Sequence, residues 1–80
     1  MNVKAVESTT LIAIGYDETR EILQLEFRSH AVYHYFGVPG TVYEALMAAP
    51  SKGRYFNGTI RRHFPRSLIA GRDASKGGEA

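Results

Sequence analysis

The sequence predicts an α+β domain: a three-stranded antiparallel β-meander with two short helices packed on one face, in the order β-β-β-α-α. Three observations predict it. Apolar and polar residues alternate with the period of a strand in the first half, Pro39 and Gly40 break that pattern, and apolar residues then recur at helical spacing.

The first strand is read in "TTLIAIGY", rich in β-branched and aromatic residues. It ends at "YDETRE", a polar turn in which Asp17 can bond the backbone two residues on. The second, "EILQLEFRS", places Leu23, Leu25 and Phe27 on one face and Gln24, Glu26 and Arg28 on the other. That is a half-buried strand with one wet face. After a tight turn near Ser29 and His30, "AVYHYFGV" puts Tyr33 and Tyr35 on one side and Val32, His34 and Phe36 on the other. Short sequential strands with brief turns pair as a meander.

The first helix is expected to start at a capping box, Thr41 with Glu44 three residues on, with Val42, Ala45, Leu46 and Ala49 as its apolar stripe and Pro50 as its end. Ser51 is the expected cap of the second. In "SKGRYFNGTIRRHF" the Asn-Gly pair is also a hairpin signal, but adjacent Arg61 and Arg62 break strand alternation, while Phe56, Ile60 and Phe64 stand four apart. The helix is therefore preferred, ending at Pro65. Gly53 and Gly58 each cost it about 1 kcal/mol relative to alanine, so it must lean on the sheet.

Residues 8–66 are the expected folded unit, with a flexible N-terminus at 1–7 and a flexible, glycine-bearing tail at 67–80. Eighty residues hold one small core, which argues against a deep enzyme cleft. A content of 44% hydrophobic and 22% charged residues is ordinary for a folded protein, and zero cysteines exclude disulfide staples and thiolate metal cages. No stretch resembles a signal-peptide core or a membrane span, so a soluble cytoplasmic protein is expected.

Charge is unevenly spread. Residues 1–50 carry a net −3, and residues 51–66 carry Lys52, Arg54, Arg61, Arg62 and Arg66 with no acid.

With "STTLIAIGYD", "YHYFGVP" and "SKGRYFNGTIRRHFP" in this order, residues 8–66 resemble the KTSC domain, a short module, often a stand-alone bacterial protein, named for its occurrence at the C-terminus of some lysyl-tRNA synthetases. The resemblance rests on Tyr33-His34-Tyr35, Val38-Pro39 and the run from Ser51 to Arg61, with Pro50 directly before it as the one departure. It implies a fold more than a function, and through the synthetases it carries the suggestion of RNA binding.

The basic run has two readings. Lys52, Arg54, Arg61, Arg62 and Arg66 can line a phosphate-tracking surface with Tyr55 or Phe56 as a stacking partner, or they can be a solvated face. The missing acids favour the first, because solvent faces usually mix signs. At ~100° per residue Arg54 and Arg61 share a helix face, and Phe56, Ile60 and Phe64 form the buried one. Tyr33 and Tyr35 point the same way, either as core tyrosines or as base-stacking aromatics; burying them, rather than His34, is preferred. Local rules leave Asn57 open: it can cap, bond the neighbouring strand, or touch a ligand. His30 and His34, four apart on a strand, are ~13 Å apart and cannot share an ion, so no metal site is expected. No nucleophile elbow or phosphate-cradling glycine loop is present, so neither an enzyme nor a cofactor is expected. The reading is a non-enzymatic binding module for RNA or single-stranded nucleic acid. A protein-interaction or self-association module using Val32, His34 and Phe36 is its alternative, and no membrane partner is expected.

Overall fold

A computed structural model of the chain describes residues 1–71. Five strands form one antiparallel sheet: β1 (Asn2–Ala5), β2 (Leu11–Asp17), β3 (Ile22–Phe27), β4 (Val32–Phe36) and β5 (Arg66–Ala70), in the spatial order of the sequence. Helices α1 (Gly40–Ala48) and α2 (Lys52–Tyr55) and a π-helical turn (Phe56–Ile60) lie between β4 and β5.

This corrects the expected three-stranded meander. The α+β class holds, but β1 and β5 are added at the two edges, in stretches expected to be loose except for Arg66. Both are exposed at every residue, so neither carries the alternation that burial imposes on a strand. Backbone pairing defines them: Asn2 to Ala5 match Tyr16 to Ala13, and Arg66, Ser67 and Leu68 match Tyr35, His34 and Tyr33. Of the expected tail, residues 72–80 lie outside the described residues.

The central strands follow the alternation. Leu23 and Leu25 have no exposed surface, Tyr35 has 2%, and they face the helices with Leu11, Ile14, Val38, Leu46 and Ile60. Asp17 Oδ1 accepts bonds from the Thr19 and Arg20 amides, holding the β2–β3 turn. Between β3 and β4, His30 takes a positive φ of 73° and its amide donates to the Phe27 carbonyl, closing a short hairpin loop. On the opposite face the His34 and Gln24 side chains are bonded at 2.8 Å.

The expected capping box does not form. Helix α1 begins at Gly40 with Pro39 as its cap, which leaves Thr41 inside the first turn, and no side chain caps this end. Ala49, ahead of Pro50, turns extended and ends the helix. Ser51 does cap α2, its Oγ accepting from the Arg54 amide at 3.3 Å.

The second helix is shorter than its apolar stripe predicts. After one α-turn the Arg61 amide reaches back to the Phe56 carbonyl, five residues away, so Phe56–Ile60 is a π-helical turn. Phe56 and Ile60 are buried as expected, and Phe64, beyond the helix, is partly buried. Gly53 has a packing reason to be glycine: a Cβ there would stand 2.9 Å from Thr10 Cβ and closer still to Thr10 Oγ1. The missing side chain lets α2 lie directly against the chain entering β2.

Candidate functional site

A half-open pocket of about 260 Å³ lies on the helix-bearing face of the sheet, bounded by the β3–β4 turn, β4, β5 and the π-helical turn. Its apolar wall is a set of rings packed edge to face. Phe27 meets Tyr33 at 5.8 Å and Phe56 at 5.2 Å, and Phe56 meets Tyr35 at 5.6 Å. Phe27 is the only partly exposed ring among them.

The polar side comes from elements far apart in sequence. Ser29 stands in the β3–β4 turn, Thr10 precedes β2, Asn57 and Arg61 belong to the second helical segment, and Arg66 opens β5. Arg66 pairs with Tyr35 across the ladder, so both side chains leave the same face. Its guanidinium carbon stands 5.2 Å from the centre of the Tyr33 ring. Arg61 Nη1 donates to Asn57 Oδ1 at 3.5 Å. Among the described residues no carboxylate lines this pocket, and the charged side chains that line it are the two guanidiniums of Arg61 and Arg66.

The basic and aromatic residues singled out from the sequence do not form one surface. Arg61, Arg66, Asn57, Tyr33 and Tyr35 meet at the pocket. Lys52, Arg54, Arg62 and Tyr55 are not among its walls. Lys52 is half-buried and its ammonium donates to the Ala49 carbonyl at 3.1 Å, sealing the end of α1. Tyr55 packs against the core, whereas Arg54 and Arg62 are exposed. Tyr33 and Tyr35 are buried to 7% and 2% exposure, so they are a floor to the pocket and not an open stacking surface. The π-helical turn separates Arg54 from Arg61, which an unbroken α-helix would hold on one face.

Thr10, Phe27 and Ser29 are wall residues that local reading assigned elsewhere. Alternation marks Phe27 as core, and nothing in the sequence around Ser29 or Thr10 points to a site; only the closure of the sheet brings them beside Asn57.

Among the described residues no group of His, Cys, Asp or Glu is placed to hold a metal ion. No described helix is long and apolar enough to cross a membrane.

A model of the KTSC domain matches residues 7–64. The chain belongs to the KTSC domain family. A crystal structure of a KTSC domain protein from Yersinia pestis superposes with a TM-score of 0.84 at 36% identity, over 86% of this chain and 97% of that one. A protein of Tsukamurella paurometabola is 42% identical over 62 residues, 78% of this chain and 92% of its own length. The lysine–tRNA ligase of Nostoc sp. is 47% identical over 58 residues, which is 72% of this chain but 10% of the ligase. In this KTSC domain the residues carrying the family pattern divide between two jobs. Gly53 and Ser51 place α2 on the sheet, and Tyr33, Tyr35, Asn57 and Arg61 build the pocket.

Proposed function

We propose that this KTSC domain is a non-catalytic nucleic-acid-binding module whose ligand is single-stranded RNA, met in the cytoplasm. The observation that carries the reading is the convergence of Arg61 and Arg66, from different elements, on one pocket that no carboxylate lines among the described residues. Arg62 is exposed in the turn that follows Arg61, and Arg54 and Lys52 extend the positive charge toward α2. Phosphate backbones are held by such charges through counterion release. The likeness to lysine–tRNA ligases, proteins that act on a tRNA, supports the same partner.

Fluorescence anisotropy of a labelled mixed-sequence RNA at several salt concentrations tests it. With Arg61, Arg62 and Arg66 engaged, log affinity should fall against log salt with a slope of about −2, steepening to about −3.5 if Lys52 and Arg54 also touch phosphate. Absence of binding at low salt, or binding that ignores salt, would overturn the reading.

A second reading rests on exposed apolar residues of the outer strands and of the end of β4. Val3 is 50% exposed, Phe36 at the end of β4 37%, Leu68 45% and Ile69 49%, and β1 and β5 are the edge strands of the sheet among the described residues. Self-association through these strands predicts a salt-insensitive dimer in sedimentation that Phe36→Asp abolishes; a monomer at all concentrations removes this reading.

A further inference from the structure

The pocket itself has a chemistry that the basic surface does not require. A phosphate-tracking surface needs only solvated charges. Here two guanidiniums and the Asn57 amide share one concavity with an aromatic wall. We infer that this pocket is a single-nucleotide site, in which Arg61 and Arg66 hold the phosphate and the base lies against Phe27. The choice of ligand rests on the RNA reading above, and the pocket adds what that reading lacks, a place where one nucleotide is gripped.

Three observations carry it. The first is size: about 260 Å³ falls just under the 300–1,000 Å³ typical of sites for drug-sized ligands, which suits a ligand no larger than one nucleotide. The second is polarity. Arg66 lies over the Tyr33 ring at 5.2 Å and Arg61 stands 3.5 Å from Asn57 Oδ1, so both guanidiniums border the same concavity, and guanidinium forks match phosphate oxygens in pairs. The third is the wall: Tyr33, Tyr35 and Phe56 are buried, which leaves the partly exposed Phe27 ring as the one in this wall able to meet a flat base. Ser29 and Asn57 stand at the same rim with donors and acceptors for a base edge or a ribose hydroxyl.

The test is a titration of the full chain, followed by amide chemical shifts, with uridine and adenosine 5′-monophosphates, the matching nucleosides, and inorganic phosphate, beside the RNA anisotropy experiment. The inference expects saturable shifts centred on Ser29, Asn57, Arg61 and Arg66 with the monophosphates, with nucleosides weaker by roughly tenfold or more. Inorganic phosphate should also bind more weakly than the monophosphates. Asn57→Ala, at an exposed position, should weaken the monophosphates several-fold while the melting temperature stays unchanged. Phe27→Leu should bring their affinity down toward that of inorganic phosphate. If RNA binds with the expected salt slope while the monophosphates leave the pocket amides unmoved, the single-nucleotide site is wrong and the surface reading stands. If the monophosphates bind and RNA does not, the pocket stands and the RNA reading falls. If nothing binds, both are wrong.

Discussion

The guanidinium of Arg66 is centred 5.2 Å from the middle of the Tyr33 ring. This contact joins the edge strand β5 to the buried tyrosine pair of β4, since Arg66 opposes Tyr35 in the ladder and its long side chain leans diagonally onto Tyr33. It also sets the chemistry of the pocket. A ring covered by a cation and only 7% exposed cannot serve as a platform for a base, so Tyr33 holds the charge and Phe27 presents the ring. At an exposed site such a contact stabilises by about 0.5–1 kcal/mol, small for the fold but sufficient to restrict the arginine.

Arg61→Ala with Arg62→Ala should weaken RNA binding for every sequence alike and make the salt slope shallower by about 1.4, the loss of two single-strand phosphate contacts. Both side chains are exposed, so the melting temperature should hardly change. Equal slopes for variant and parent would remove these two residues from the interface.

Tyr35→Ala should cost about 3–5 kcal/mol, because a 2%-exposed ring packed against Phe56 and Tyr33 leaves a cavity that a small core cannot close. That is a large share of the 5–15 kcal/mol typical of a whole domain. Chemical denaturation reads the loss directly, and a cost below 1 kcal/mol would show that the ring is not part of the core.

Gly53→Ala should destabilise by about 1–3 kcal/mol even though alanine is the better helix former, because the new methyl lands on Thr10. Thr10→Ala should recover part of that loss and not all of it, since the Thr10 Cβ would remain 2.9 Å away. A double-mutant cycle with no coupling would contradict this contact.

Tyr16 ties β2 to the chain entering α1: its hydroxyl donates to the Val38 carbonyl at 2.6 Å and its ring stacks on Tyr43 at 4.7 Å. Partial burial, reinforced by Glu21, Glu18 and Asp17, raises its phenol above the ordinary value of 10.0. A raised folded value means that the contribution is complete below about pH 10, the unfolded value, and is lost as pH rises through the higher folded one. Denaturation in alkali should therefore show an added fall in stability that Tyr16→Phe removes, at a cost of about 1 kcal/mol at neutral pH for the lost hydrogen bond. An unchanged alkaline profile in Tyr16→Phe would assign the fall to another group.

What could be read locally follows from burial. Leu23 and Leu25 alternate because one sheet face is dry, Ser51 caps because the Arg54 amide has no partner within its helix, and Phe56 and Ile60 stand four apart because one helix face packs on the sheet. Each of these constraints acts between residues near in the chain, so its trace is a short-range pattern. The basic segment was visible for the same reason, as a local excess of one charge.

Strands β1 and β5 left no such trace. Their side chains are exposed at every position, and what holds them is the backbone edge of β2 and β4, far away in sequence. The expected capping box and unbroken second helix were satisfied by local rules, yet α1 starts one residue before Thr41 and Phe56–Ile60 widens into a π-turn. By itself the sequence determined the α+β class, the buried face of the central strands and the basic stretch, because periodicity and composition are properties of neighbouring residues. Only the tertiary structure decided that Arg61 and Arg66 would share a pocket with Phe27 and Ser29, and that Lys52 and Tyr55 would not, because that grouping depends on strand pairing and helix phase across the whole sheet.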